Sequence, residues 1–233
     1  MKPNFTQEIA MPVLSSFIVF IGLLFSQLSF GAACPSSSSV TSAGAVDGDN
    51  CTVTGSSSVM QLNFQNGFND ASVVTATGGN NGTTVGAQRK LSFIKAVEIL
   101  ADQVVSTQTI IVDANFDSDM SCNASSATLG SAGATSNFYY SSAPSGLISN
   151  TYYPVGLANA ITDSDIDPGV SDITSSFNAD LGDSDCLSGS FWYYGFDAPS
   201  GSDIGFTTVL LHEMTHGLGF ASLTDASDGS KAA

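Results

Sequence analysis

A chain of 233 residues in which 21 acidic side chains face 5 basic ones carries a formal net charge of -16. It has the length for one ordinary domain with a real core, and its acidity repels phosphate backbones and anionic membrane faces, which excludes nucleic acid as a partner class. Only Glu8, Glu98 and Glu213 are glutamates, and aspartate mixed with Ser, Gly, Asn and Thr makes turns and capped edges, a composition that suits an extracellular, loop-rich protein.

The first predicted element is a leader. Lys2 precedes the apolar run VLSSFIVFIGLLFSQLSF, which ends in the small residues GAAC, the order of parts expected of a secretory signal over residues 1–33. Gly31 and Ala33 stand three and one before the cut, which falls just before Cys34. A lipid anchor on Cys34 is the competing reading, although Gly31 occupies the place where a large aliphatic residue is usual. After cleavage no membrane partner is expected unless that anchor is made.

Cys34, Cys51, Cys122 and Cys186 are an even number in a chain expected to leave the reducing cytoplasm, so they read as two disulfides. Three pairings are open. Nearness in the chain favours Cys34 with Cys51 and leaves Cys122 with Cys186. A cysteine-based metal site needs close pairs of the CxxC type, and none occurs.

Residues 34–58 form a Ser-rich N-terminal segment, too polar to hold a core and expected to be weakly structured. Next, VMQLNFQ alternates in the period of a strand, and GGNNGTTVG is a turn cluster. The spacing of Leu91, Ile94, Val97, Ile99, Leu100 and Val104 predicts a helix over LSFIKAVEILADQVV with one face to bury. A β-branched strand follows in TQTIIVDANF, centred on Ile110, Ile111 and Val112. A long Ser/Gly/Asn stretch with short strands then runs to Trp192. The order of elements describes an α+β domain without internal repeats.

Two aspartate clusters, Asp163, Asp165 and Asp167, and Asp180, Asp183 and Asp185, are candidate calcium sites. The first opens like an EF-hand loop, but Pro168 stands where that loop needs glycine and Thr174 where it needs glutamate, so it is not one. Solvated loops with Asx-turns are the plainer reading. The aromatic groups FYY, TYYP and FWYYG read as core and strand residues ahead of substrate platforms.

Both histidines of the chain fall in LLHEMTHGLGF. FTTVLLHEMTHGLGF follows turn-forming SGSDIG and ends at Gly217 and Gly219, which can stop a helix by taking positive φ. At about 100° per residue His212 and His216 project about 40° apart, while Leu211, Met214 and Leu218 lie on the far side. Two imidazoles one turn apart are the spacing a zinc ion asks for, and Glu213 beside them is placed to act as general base on a water.

LLHEMTHGLGF, preceded by FWYYGFD and by LSFIKAVEILADQVVSTQTIIVDANF, resembles the secreted bacterial zincin-type metallopeptidases that carry HExxHGLGF, which are similar in pattern to the metzincins. The resemblance covers roughly Val59 to Phe220 and is specific at the zinc helix. It implies a peptidase domain over residues 59–233, with the helix and twisted sheet as an upper subdomain and the HExxH helix as the floor of the cleft. It also implies zinc as cofactor, a peptide or protein as substrate, His212 and His216 as metal ligands and Glu213 as the catalytic residue. The pattern departs at the third ligand. Ser222 stands where a metzincin has histidine, no glutamate follows Glu213, and no methionine follows Met214. Three sources of the missing ligand stay open: Asp225 or Asp228, an upstream aspartate, or chain beyond residue 233. The last is favoured, so the domain is expected to be the front part of a longer enzyme whose lower subdomain is missing. The alternative is a non-catalytic secreted or surface-anchored module, held by disulfides, with a degenerate or incomplete zinc site.

Overall fold

The computed structural model describes residues 32–34, 50–222 and 227–230. The apolar leader over 13–30 therefore lies outside the described residues. At its end, β1 (Ala32–Ala33) pairs parallel with β2 (Asn50–Thr54). Strand β2 corrects the reading of residues 34–58: Cys51 and Val53 are buried core residues, because a strand needs only every second side chain to be apolar. Strand β3 (Val59–Phe64) runs antiparallel to it and buries Met60, Leu62 and Phe64.

Helix α1 (Val85–Gln103) begins six residues before the predicted stretch. Thr84 is its N-cap, its hydroxyl accepting from the Ala87 N–H at 3.2 Å. The first turns bury polar residues, so apolar periodicity does not reveal them: Gln88 donates to the carbonyls of Thr75 and Gly82, and Arg89 to that of Gly67. Within the predicted part Phe93 is buried alongside Leu91, Ile94, Val97 and Leu100, whereas Ile99 is 42% exposed.

Strand β4 (Ile110–Asp117) follows as expected. After it come β5 (Cys122–Asn123), β6 (Ser126–Ala127), β7 (Gly130–Ala134), the hairpin β8 (Asn137–Tyr140) and β9 (Thr151–Pro154), and a helix the sequence reading did not contain, α2 (Val155–Thr162). Helix α2 buries only Val155, Ala158 and Asn159 and stops at Asp163 in the left-handed conformation. Strand β10 (Ile173–Asn178) leads through the short parallel pair β11 (Trp192–Tyr193) and β12 (Ile204–Gly205) into α3 (Phe206–Gly217).

The main sheet is mixed and six-stranded, in the order β1-β2-β3-β4-β10-β7. Strands β3, β4 and β10 are parallel neighbours, and β7 closes the far edge antiparallel to β10. One face is apolar, with Leu62, Val112 and Ile173 in register across three strands, and α1 and α3 cover it side by side. The other face carries Gln61, Asn63, Asp113 and Asn115 and is only half-buried. The molecule is thus α+β.

Phe206, the first residue of α3, is fully buried and meets the rings of Phe116, Phe177, Trp192 and Tyr194 at 4.9–5.5 Å. An aromatic anchor of this kind contributes about 1.5–3 kcal/mol by burial alone, and it fixes where α3 starts. The segment before α3 is tied to α1. Asn80, fully buried, donates to the carbonyls of Gln88 and Tyr194, and Arg89 donates through Nε to the Tyr194 hydroxyl while lying 3.9 Å above the Phe116 ring.

The disulfides join Cys34 to Cys51 and Cys122 to Cys186, the pairing expected from nearness in the chain. The described cations, Arg89, Lys90 and Lys95, all lie on α1; the first two are buried and Lys95 pairs with Glu98 at 3.8 Å. Among the described residues no helix is long and apolar enough to cross a membrane.

Candidate metal centre

Helix α3 is built as its spacing predicts, with one refinement at each side. Its back is formed by Phe206, Leu210, Met214 and Gly217, all buried, while Leu211 and Leu218 only lean on the core. Its front shows His212, which is exposed, and Glu213 and His216, which are half-buried.

Gly217 and Gly219 have different duties. Gly217 stays helical, and a Cβ there would lie 2.4 Å from Ile173 Cγ2, so its lack of a side chain lets α3 lie against β10. Gly219 takes φ +106° and ends the helix. Its N–H donates to His216 O and the Phe220 N–H donates to Thr215 O, the paired bonds of a Schellman stop.

That stop turns the chain back over the second histidine. The Phe220 carbonyl oxygen lies 2.7 Å from His216 Nδ1. A carbonyl only accepts, so Nδ1 donates to it and Nε2 is the nitrogen left to face a metal. The Nε2 atoms of His216 and His212 stand 3.2 Å apart, with the rings nearly perpendicular. Two nitrogens so close require a proton or a cation between them, and two bonds of about 2.0–2.1 Å at a tetrahedral zinc hold their nitrogens about 3.3 Å apart. The donor set therefore fits zinc at two of its four positions.

Among the described residues no group of three or more His, Cys, Asp or Glu side chains is gathered as a metal-binding set. Asp225 lies outside the described residues. Asp228 is exposed and bonded locally, its carboxyl held below the ordinary value by the Ser230 hydroxyl and then the Ser230 N–H. Ser222 is exposed beyond the helix stop.

The two aspartate clusters are apart in character. Asp163 accepts from the Thr107 hydroxyl and from Gln108, which hold its carboxyl below the ordinary value. Asp180 is pushed up, by desolvation first and then by the charges of Asp183, Asp185, Asp119 and Asp117.

A groove of about 330 Å³ opens beside His216. Its walls are the edge strand β7, the β9 residues Tyr152, Tyr153 and Pro154, Leu157 of α2, and Gly219 and Ala221 past the helix stop. No sequence pattern announces it, since it joins elements that are far apart in the chain, α2 among them.

Family profiles, curated proteins and solved structures were all compared with this chain, and none matches it.

Proposed function

We propose that this protein is a secreted zinc-dependent endopeptidase of the zincin type, with His212 and His216 as zinc ligands and Glu213 as general base. The observation that carries the reading is the convergence of the two Nε2 atoms at 3.2 Å on the front of a helix whose next carbonyl fixes the tautomer of His216. The mixed sheet above α3 is compatible with an upper zincin subdomain, and the paired cysteines suit an oxidising compartment.

Zinc, when bound, supplies Lewis-acid polarisation of a substrate carbonyl and acidification of water. The protein's own groups do the rest. Glu213 follows His212 directly and turns about 100° from it, which puts a carboxylate at the rim of the same front. It takes the proton of the attacking water on a carboxylate oxygen and passes it to the leaving amine nitrogen. Strand β7 has no partner on its outer side among the described residues, and an extended peptide can add to such an edge by main-chain hydrogen bonds.

A paired measurement tests this. The full chain, loaded with zinc, is assayed for metal content and for hydrolysis of casein or a quenched peptide, and so is Glu213→Gln, which keeps shape and polarity but not basicity. Zinc should stay in both, and hydrolysis should fall by about 10²- to 10⁴-fold in the variant. Equal hydrolysis in the two proteins removes Glu213 from the mechanism. Zinc in both without hydrolysis in either supports the second reading, a non-catalytic disulfide-stabilised module with an incomplete site.

A further inference from the structure

We infer that the fold is salt-dependent: dissolved ions screen a self-repulsion that the chain's own basic residues do not balance, and stability rises with ionic strength. The property belongs to the whole molecule and does not depend on the peptidase reading.

All but Glu8, Asp47, Asp49 and Asp70 of the 21 acidic residues fall in residues 96–230, a stretch with no Lys or Arg. Among the described residues Asp172 is the one buried acid, so the other carboxylates face water at least in part. The described cations supply little relief. Arg89 and Lys90 are buried in α1, and Lys95 is paired with Glu98 at 3.8 Å. A folded chain of this length has a radius of gyration of about 17 Å and an unfolded one about 50 Å. The charges therefore stand closer together in the fold, and unfolding eases their repulsion. At about 0.01 M salt the Debye length is about 30 Å, longer than the folded radius, whereas at about 1 M it is about 3 Å and only touching groups still interact.

Two loops show why the fold cannot relax the repulsion by moving. The Cys122–Cys186 bridge joins the segment after β4 to the segment after β10. The Ala179 N–H donates to the Asp117 carbonyl, and the Leu187 N–H to that of Asn123. Asp117 and Asp119 are thereby held near Asp180, Asp183 and Asp185. After desolvation, the charges of Asp183, Asp185, Asp119 and Asp117 push the Asp180 carboxyl above its ordinary value. Among the described residues no three such side chains form a metal-binding set, so the relief comes from the diffuse ion atmosphere. The second loop also reaches α3, since Trp192 donates from Nε1 to the Asn178 carbonyl and meets the Phe206 ring at 5.2 Å. Loosening it frees the start of the histidine helix.

The test is the Tm of the full chain at pH 7 in NaCl from about 0.01 M to about 1 M, followed by circular dichroism. Tm should rise by about 5–15 °C. The exposed pair Asp183→Lys with Asp185→Lys removes four negative units from the net charge of -16. Repulsion that grows as the square of the charge then falls to about half, and so should the rise in Tm. Asp183→Asn with Asp185→Asn should lie between the two, which keeps the comparison open if the lysine variant does not fold. General salting effects act alike on all three proteins, so the difference between them reports screening. A Tm that is flat or falls with NaCl overturns the inference, and so does an equal rise in the native and variant chains. If about 1 mM CaCl2 reproduces the whole rise that about 1 M NaCl gives, a bound cation and not screening holds the loops, and the inference is again overturned.

Discussion

At the scale of single residues, the orientation of His216 on α3 depends on a main-chain atom. The HExxH spacing is legible because helical geometry converts a spacing of four into a shared face, and the structure brings the two imidazoles together as that geometry requires. The Phe220 carbonyl was not legible, since every residue has a carbonyl and only the turn at Gly219 aims this one at His216. Gly219→Ala should therefore cost about 1–3 kcal/mol of stability by forcing a side chain into φ +106°. It should also weaken zinc binding about ten- to hundredfold by releasing Nδ1. Phe220→Leu keeps the carbonyl and should keep the affinity. A zinc titration of the two variants checks this, and equal losses in both would mean that the Phe220 side chain matters and its carbonyl does not. Gly217 carries a separate prediction. Gly217→Ala drives a methyl into Ile173 and should lower stability by about 1–3 kcal/mol, read as a drop in the denaturant midpoint.

At the scale of elements, the parts with regular apolar spacing were readable and the parts stabilised by polar contacts were not. β3, β4 and the second half of α1 follow from Met60, Leu62, Val112, Ile94 and Val97, whose side chains repeat with the period of their element. The start of α1 is held by the Thr84 cap and by hydrogen bonds from Gln88 and Arg89 to the loops that precede the helix, and no periodic pattern reports such bonds. α2 is too short for its pattern to stand out, and β2 hides its Cys51 and Val53 among serines and threonines. Asn80 shows how far such contacts reach. It binds the backbone of α1 and that of the segment leading to α3, and its own Oδ1 accepts from the Gly82 N–H. Asn80→Ala should cost about 3 kcal/mol through the groups left unpaired, a fall in Tm of roughly 6–12 °C. A change of under about 2 °C would show that water replaces the side chain without penalty.

At the scale of the whole molecule, the sheet order could not be read, because Asp172 and its neighbours join β10 to elements far off in sequence. The buried Asp172 carboxylate accepts from the Ile111 N–H of β4 and from Asn159 of α2, and its carbonyl accepts from Thr135 past the end of β7. Burial pushes its carboxyl above the ordinary 3.8, ahead of the hydrogen bonds that oppose the rise. A carboxyl raised in the folded state takes its proton at a higher pH than the unfolded chain does. It therefore adds stability as pH falls through the folded value, and the gain is complete below 3.8. Asp172→Asn has no such proton to take up. The Tm of the native sequence minus that of the variant should thus become more positive from about pH 7 to about pH 4. A difference independent of pH would move the titration to another group.

The placement of the described cations on one helix has a consequence for how the protein meets proteases. Trypsin-like enzymes need a Lys or Arg side chain in their deep acidic pocket. Arg89 and Lys90 are buried within α1, and no basic residue occurs anywhere in residues 96–230. Limited trypsin digestion of the folded chain should leave that whole stretch, with the histidine pair and the groove on it, in one piece. Even after unfolding it has no bond there for such an enzyme to cut, so in a milieu rich in basic-specific proteases the stretch that carries both histidines is the stretch that survives.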